Sequence, residues 1–440
     1  MKYKYQLLLT IALLWSCHLF AYDVEIDGLY YNLLSPNSVE VTSGNTKPSG
    51  YITIPDSIIY NGKIYEVVSV GNNAFEGCTD LKSIKMGKKI TKIGKRAFKD
   101  CSSLSSYSFN ASEIGEYVFE NCTSITSFRG GSLKILPEGM FYGCTSLSSF
   151  SCRYDTKVGK YAFCGCTALT SLKLVNAIGD YAFKDCTGIT SVTLMKQTQP
   201  VGETTLGNGT FEGCSSLKTL TIDEKNPYGA ITNIGRALYK CESLDTVILV
   251  DSKEYSYLNG ALYRTKNYQT NLEIVLPNQE VYVTPSYISE IWSTVFIPGK
   301  LRRVVLSGNI QKISSYAFNN CSNLSEIYCY SSTPYKVGTT SDGIEFNSVF
   351  STSIYTNVHH YVPKGAIDNY KSSSSWNKFA SIEEFDISTF DPYTTSINNV
   401  QKDNDEVDFY TINGVKKQKP IKGLNIIRMK DGATKKIIIK

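Results

Sequence analysis

The sequence predicts a β-dominated solenoid of stacked coils, with one brief strand and one short helical turn in each coil of about 22 residues. Three observations predict it. A small residue, a large apolar one, two variable residues and a cysteine recur nine times, from Ala74-Phe75-x-x-Cys78 and Ala97-Phe98-x-x-Cys101 to Ala317-Phe318-x-x-Cys321. The first six of these cysteines stand 23, 21, 22, 22 and 20 residues apart. Self-similarity at that period marks units that bury their apolar faces only by stacking on one another. After each cysteine runs an alternating apolar segment, as in Leu169/Leu172/Leu174 and Ile189/Val192/Leu194, whose intervening residues face outward. A fold that grows along one axis accommodates 440 residues around a core of constant thickness, and an apolar fraction of 42% suffices to build it.

Residues 1–21 read as a secretory leader. Lys2 and Lys4 precede the apolar run Leu7 to Trp15, which is too short to span a bilayer, and small Ala21 precedes the polar Tyr22-Asp23. A rival reading makes Cys17 a lipid-modified residue, because Leu14-Trp15-Ser16-Cys17 faintly resembles a lipobox, although Trp15 fits that pattern badly. No later segment is apolar enough for a transmembrane helix. Residues 22–65 read as a β-rich N-terminal cap with hairpin turns at Asp27-Gly28 and Asn61-Gly62.

Residues 66–335 hold the repeats, and the fullest copy starts at Ile90. Ile90-x-x-Ile93-Gly94 enters the coil, where the glycine permits a tight turn. Ala97 and Phe98 face inward on the helical turn. Beyond Cys101, Leu104-x-x-Tyr107-x-Phe109 has the L-x-x-L-x-L form of a leucine-rich repeat strand. The pattern departs at Leu136-Pro137, at Leu238 and between Cys241 and Cys321. In that last stretch, degenerate coils at Asn259 to Tyr263 and at Ile288-x-x-Ile291 with Val295-Phe296 bring the count to about eleven. Residues 336–385 form a C-terminal cap region, with a strand at Tyr361-Val362-Pro363 and with Ile367, Tyr370, Trp376 and Phe379 closing the far end. Residues 386–406 are polar and aperiodic, a linker. Residues 407–440 are a separate β tail, with a turn at Asn413-Gly414 and strands at Gly423 to Ile427 and Lys436 to Lys440.

The repeat resembles that of the BspA-like leucine-rich repeat proteins of bacterial surfaces, which runs I-x-x-I-G-x-x-A-F-x-x-C-x-x-L-x-x-I-x-[IL] and is matched almost residue for residue from Ile90 to Phe109. The likeness covers roughly residues 65–330. It implies a leucine-rich repeat solenoid at the cell surface that adheres to host matrix proteins, other cells or surface glycans. The cap region resembles the family's closing phrase VP-x-G-x-x-x-x-Y-x-x-x-x-x-W. The tail resembles a type IX secretion sorting domain through N-G-x-x-V and G-L-x-I-I. It departs from that pattern where Val415 and Lys416 replace the arginine, and a small β-module that only packs or anchors is the alternative.

Charge and composition narrow the function classes. The formal net charge is +5 over the whole chain and +3 without a leader carrying Lys2 and Lys4, which is no footprint for nucleic acid or an anionic membrane. Twelve cysteines follow the leader, an even number that in an exported chain invites disulfides. Their places in the repeat argue for buried thiols. Equivalent residues of stacked coils lie about 4.8 Å apart, but their parallel Cβ vectors oppose the dihedral near 90° that a disulfide needs. Cys164-Gly-Cys166 lacks the further ligands of a metal site. His359 and His360 are adjacent on a strand and so face opposite sides. Asp56, Asp80, Asp100, Asp180, Asp185 and Glu212 lie in turns or at variable positions, and no carboxylate pair recurs on one rung. Gly207-Asn208-Gly209 opens like a dinucleotide fingerprint, but Glu212 stands where its third glycine belongs. The sequence thus predicts no enzyme, and neither a cofactor nor a metal.

The outward rows of the strands carry the functional expectation. One row is hydroxylic: Ser83, Ser106, Ser127, Ser149, Ser171, Ser191, Thr219 and Thr246. The next reads Lys85, Ser108, Arg129, Ser151, Lys173, Thr193, Thr221, Ile248 and Tyr328. A solvated sheet explains such residues, and so does an adaptable face for a protein or glycan ligand of a host or neighbouring cell, with Lys85, Arg129, Lys173 and Tyr328 as anchors. Insertions at Met195 to Gly209 and Asp223 to Thr232 stretch two cysteine spacings to 28 and 27 residues and are candidate binding loops. The expected function is a non-catalytic exported adhesin. The alternatives are a structural component of the cell envelope or a glycan-active enzyme.

Overall fold

A computed structural model describes residues 22–393, apart from 109–110, 132, 154, 176, 198–202, 294, 315–316 and 339–349, together with strands between 408 and 439. The leader expectation and Cys17 lie outside the described residues. One compact unit extends to Ile387. It is a β-solenoid of about 13 turns, more than the eleven counted from the repeats. The surplus arises at the ends. Gly50–Thr53 in the N-terminal region pairs in parallel with Leu81–Lys85, and His359–Pro363 and Ser381–Phe385 extend the sheet past Glu326–Cys329. Asp27-Gly28 and Asn61-Gly62 turn the two expected hairpins, all four with positive φ.

Each coil holds two short strands rather than one. The main ladder runs through Leu81–Lys85, Ser106–Ser108, Ser127–Arg129, Ser149–Ser151, Ser171–Leu174, Ser191–Met195, Thr219–Asp223 and Thr246–Val250. A second ladder of two-residue strands includes Lys92–Ile93, Glu113–Ile114, Ile135–Leu136 and Lys157–Val158. The glycine after this second strand has another purpose than the expected tight turn. A Cβ on Gly94 would stand 2.6 Å from the Asn72 amide nitrogen, and one on Gly115 would stand 2.5 Å from that of Lys95. Glycine is required because successive coils touch there, not because φ is positive.

The phenylalanine turns are single hydrogen-bonded turns, and among the described residues of the cysteine repeats a helix forms only at Ile234–Ala237. The reason is the residue before each cysteine. Gly77, Asp100, Asn121, Gly143, Gly165, Asp185, Gly213 and Lys240 all have φ between 56 and 74°, so the chain leaves the helical region after one turn. That position is therefore not freely variable. Within the turns, Phe75, Phe98, Phe119, Phe141, Phe163, Phe183 and Phe211 form a buried column with neighbouring ring centroids 5.1–5.8 Å apart and ring planes within 15° of parallel. From Cys101 to Cys241 the thiol of each repeat cysteine donates to the phenylalanine carbonyl of the preceding coil, as in Cys101 to Phe75 at 3.0 Å, Cys122 to Phe98 at 3.0 Å and Cys186 to Phe163 at 3.0 Å.

The stretch between Cys241 and Cys321 departs from expectation in one place. Asn259 to Tyr263 is not a coil but part of an antiparallel meander, Tyr255–Leu258, Ala261–Lys266 and Gln269–Val275. Asn259-Gly260 and Asn267-Tyr268, all with positive φ, turn its hairpins. Its faces serve two cores. Leu262 and Ile274 pack with the N-terminal coils, and Tyr263 and Leu272 pack with the C-terminal ones. Beyond it the column resumes as Phe296, Phe318 and Phe350, 5.0 and 5.2 Å apart. Ser388–Lys440 forms a second compact unit with an antiparallel sheet ordered Lys416–Lys417, Asp408–Thr411, Gly423–Arg428, Thr434–Ile439. The expected turn at Asn413-Gly414 lies outside the described residues.

Phe163 is fully buried, its ring centroid 5.1 Å from that of Phe183 and 4.4 Å from that of Phe150. Phe163→Ala is expected to cost about 3–5 kcal/mol in urea unfolding, and a loss below about 1 kcal/mol would contradict this packing. His360 gives a second prediction. It is fully buried against Tyr370, Trp376 and Phe379, its Nε2 is 3.3 Å from Cys329 Sγ and its Nδ1 has no hydrogen-bond partner among the described residues. Burial pushes its pKa down from 6.5 to about 3. The unfolded chain therefore binds a proton below pH 6.5 that the folded chain refuses until about pH 3, so stability falls as pH drops through that window. Thermal melts from pH 7 to pH 4 should show a shallower decline for His360→Leu than for the parent.

Candidate functional site

The outward rows of the main ladder come into register as the pleat requires. Ser83 pairs with Ser106 and Ser127 with Ser149, while Ser171, Ser191, Thr219 and Thr246 align as one row. In the adjoining row Lys85 pairs with Ser108, Arg129 with Ser151, and Lys173 with Thr193. Lys85, Arg129 and Lys173 are exposed and stand on every second coil. The structure thus strings these three along one face and does not cluster them.

Tyr328 is on the same row but is not an open anchor. It is only 6% exposed. Tyr361 stacks on it at 4.4 Å, Phe385 meets it edge-on at 5.2 Å and the Arg303 guanidinium sits 5.4 Å from its ring centre. The turns that follow the repeats cover it, which no reading confined to the repeats would anticipate.

Two features of this face were missed from sequence. The first is a charged set in register: Arg303, Glu326, His359 and Ser381. Arg303 is 2% exposed and ion-paired to Glu326. His359 is exposed, whereas adjacent His360 is buried, as strand alternation requires. His359 Nδ1 lies 3.1 Å from Ser381 Oγ and 3.2 Å from Glu383 Oε1, and Ser381 donates to the same Glu383 oxygen at 2.8 Å. The Ser381 hydrogen bond and His359 hold the Glu383 carboxyl below its usual range. A serine–histidine–carboxylate relay needs serine and acid on opposite ring nitrogens. Here both meet one nitrogen and the serine proton points to the acid, so this trio orders the strand edge and forms no relay.

The second feature is a notch. Ser149–Ser151 and Ser171–Leu174 do not pair, although the second ladder stays closed between the same coils through Ile135–Leu136 and Lys157–Val158. The coils part on the strand side alone. Phe150, where the later coils have Leu172 or Val192, reaches across to Phe163 at 4.4 Å and Phe183 at 6.0 Å. The ladder is also unpaired between Ser106–Ser108 and Ser127–Arg129, but there the Tyr107 hydroxyl bridges to the Ser127 carbonyl at 3.1 Å. Phe150 has no hydroxyl to do the same. The notch encloses about 380 Å³, with Ser149, Ser151, Ser171, Arg153 and Lys173 at its walls and Phe150 and Leu172 below.

Charge differs between the two sides of the coils. On the turn side Lys95 pairs with Glu116, Lys99 with Glu120 and Lys184 with Glu212, each across adjacent coils. Among the described residues, Lys85, Arg129 and Lys173 have no ion-pair partner. The turn carboxylates serve the stacking: Asp56 accepts from the Lys88 amide, Asp100 from the Asn121 side chain and Asp180 from the Asn208 amide. The two insertions brace each other, with Gln197 bridging to Tyr228 and the Asn226 side chain donating to the Lys196 carbonyl at 3.0 Å.

The chain matches the family described as BspA type Leucine rich repeat region, over residues 51–170, 156–274 and 278–341. Among solved structures, it is similar to a leucine rich cell surface protein from Faecalibacterium prausnitzii, at 19% identity over 82% of this chain and 94% of that one, with a TM-score of 0.50. A leucine-rich repeat protein from Bacteroides ovatus is 18% identical over 83% of this chain and 100% of that one, with a TM-score of 0.35. The pneumococcal vaccine antigen PcpA is 16% identical over 83% and 98%, with a TM-score of 0.42. No curated protein matches the chain.

Cys152 lines the notch and is only partly buried, whereas the other eleven described cysteines are buried. Burial pushes its thiol up to about 11, which slows attack without preventing it. In the native protein with Cys17→Ser, a chromogenic disulfide reagent at pH 8 should modify one thiol slowly and the remainder only on unfolding. Cys152→Ala should abolish the native reaction, and rapid modification of several thiols would overturn this account of the core.

Proposed function

Because the chain belongs to the BspA type leucine-rich repeat family, we propose that it is an exported surface protein that binds a macromolecule through the outward rows of its main ladder. The observation that carries this reading is the contrast of charge between the two sides of the coils. On the turn side Lys95, Lys99 and Lys184 are neutralised by carboxylates of adjacent coils, whereas among the described residues Arg129 and Lys173 have no ion-pair partner and stand among hydroxyls, Lys173 at the notch. Hydroxyl rows offer donors and acceptors along the whole face, and spaced cations select a ligand with acidic groups. A host matrix protein, the surface of another cell or an acidic glycan fits that description. The similar protein of Faecalibacterium prausnitzii is named as a cell surface protein, and the leader-like residues 1–21 agree with export. The tail, a compact unit of its own, fits a type IX sorting domain through its N-G-x-x-V and G-L-x-I-I phrases. On this reading the protein acts by holding its ligand and performs no chemistry on it.

The test is direct. Arg129→Glu with Lys173→Glu reverses two exposed charges that hold no structural partner. Against immobilised matrix proteins and an array of acidic and neutral glycans, the parent should bind at least one ligand, and binding should weaken with added salt. The double variant should bind that ligand about tenfold or more weakly, at an unchanged melting temperature. No binding by the parent, or equal binding by the variant, would sink the proposal.

A further inference from the structure

Where the meander meets the preceding coil, the structure has a second pocket, open to solvent on one side. Its volume is about 220 Å³, and Asn233, Arg236, Asn271, Glu273, Trp292 and Ser293 contribute to its lining. Three segments converge to make it: the helix Ile234–Ala237, the meander strand Gln269–Val275 and the loop after Glu290–Ile291. Glu273 is the extra residue of a β-bulge, since Leu262 pairs with Ile274 and Tyr263 with Leu272. Bulges re-aim side chains and gather beside functional sites. The bulged carbonyl also lies where a Cβ on residue 235 would stand, so Gly235 is fixed by this junction.

The lining has the chemistry of sugar recognition, and we propose that the cavity is a saccharide site that seats one neutral pyranose ring against the Trp292 indole. Trp292 is 41% exposed, with an open aromatic surface at the cavity. The face of an indole is electron-rich and attracts the weakly positive axial C–H edge of a pyranose, while its breadth removes that apolar edge from water. Around it stand an amide from Asn271, an amide oxygen from Asn233, the Arg236 guanidinium and the Glu273 carboxyl. The Asn233 nitrogen is already committed to the Leu206 carbonyl, which leaves its oxygen as the acceptor. Together these supply donors and acceptors in the mixture that vicinal hydroxyls need. The lining holds one acid, Glu273, and one base, Arg236, so it favours an uncharged, hydroxyl-rich guest over a strongly ionic one. Burial pushes the Glu273 carboxyl up, so the group gains from a hydroxyl that would hydrogen-bond to it.

This site is distant in sequence from Arg129 and Lys173 and does not rest on the strand-face proposal. It is also easy to observe. Of the three tryptophans, Trp15 precedes the described residues and Trp376 is fully buried, so a solvent-sensitive change in emission reports Trp292. The full chain is titrated with glucose, galactose, mannose and N-acetylglucosamine, with ligand-observed NMR in parallel. At least one sugar should give a saturable change with half-saturation in the millimolar range, and its ring protons should receive saturation from the protein. Asn271→Ala should weaken binding about tenfold. Arg236→Ala, at an exposed rim position, serves as the second variant wherever Asn271→Ala unfolds. Lys173→Glu should leave the sugar response unchanged. The proposal is overturned if no sugar gives a saturable change up to about 50 mM, or if the response survives intact in the folded cavity variant.

Discussion

At the phenylalanine turns, the peptide groups of one residue join two successive coils. The Phe98 amide donates forward to the Val118 carbonyl at 2.9 Å, and the Phe98 carbonyl accepts both the amide of Cys101 in its own coil, at 3.2 Å, and the thiol of Cys122 in the next, at 3.0 Å. This double acceptance limits which residue can follow. The side chain must be small enough for a buried slot between aromatic rings, apolar enough to lie in the core, and able to donate one hydrogen bond in a fixed direction. Cysteine satisfies all three. With the thiol set, the phenylalanine rings stack nearly parallel and the coil-to-coil register follows. The outward rows of the strand face inherit that register, so the surface chemistry of the protein depends on a sulfur-to-carbonyl contact on the far side of each coil.

The same constraint separates structure from recognition. Polar groups on the turn side are consumed by stacking: Lys184 binds Glu212, Asp100 accepts from Asn121 and Asp180 caps the Asn208 amide. The strand side has no such obligation, because its backbone ladder already joins the coils. Among the described residues, Lys85, Arg129 and Lys173 there have no ion-pair partner. The notch sharpens the contrast, since a single aromatic, Phe150, opens the ladder without loosening the turns behind it.

The repeating part of the fold was legible because period, apolar alternation and a small-aromatic-cysteine phrase all agree. The left-handed residue before each cysteine was equally legible, for Gly, Asp or Asn fills it in all but one of the coils with that geometry. It was passed over as variable because its side chain buries nothing. The second ladder was hidden for a similar reason, since a two-residue strand has no periodicity of its own. The meander at Tyr255–Val275 has no distinct local signal, because Asn259-Gly260 followed by apolar residues suits a coil entry and a hairpin turn alike. Of the strand-face residues, Lys85, Arg129 and Lys173 are exposed in the row where alternation puts them. Tyr328 differs because its cover, Tyr361 and Phe385, comes from turns outside the repeat pattern, and burial created by other segments leaves no local trace.

The one-sided opening between Ser149–Ser151 and Ser171–Leu174 also has a mechanical meaning. A stack of coils pulled from its ends carries load as a zipper does, rung by rung, because each rung is joined only to its neighbours. Most rungs are fastened along both ladders and at the turn. This one is fastened at the turn and along the second ladder only. Under tension it would yield as a hinge before any rung of the Ser171–Val250 stack, bending the coils toward their turn side and widening the strand face at the place where Lys173 stands.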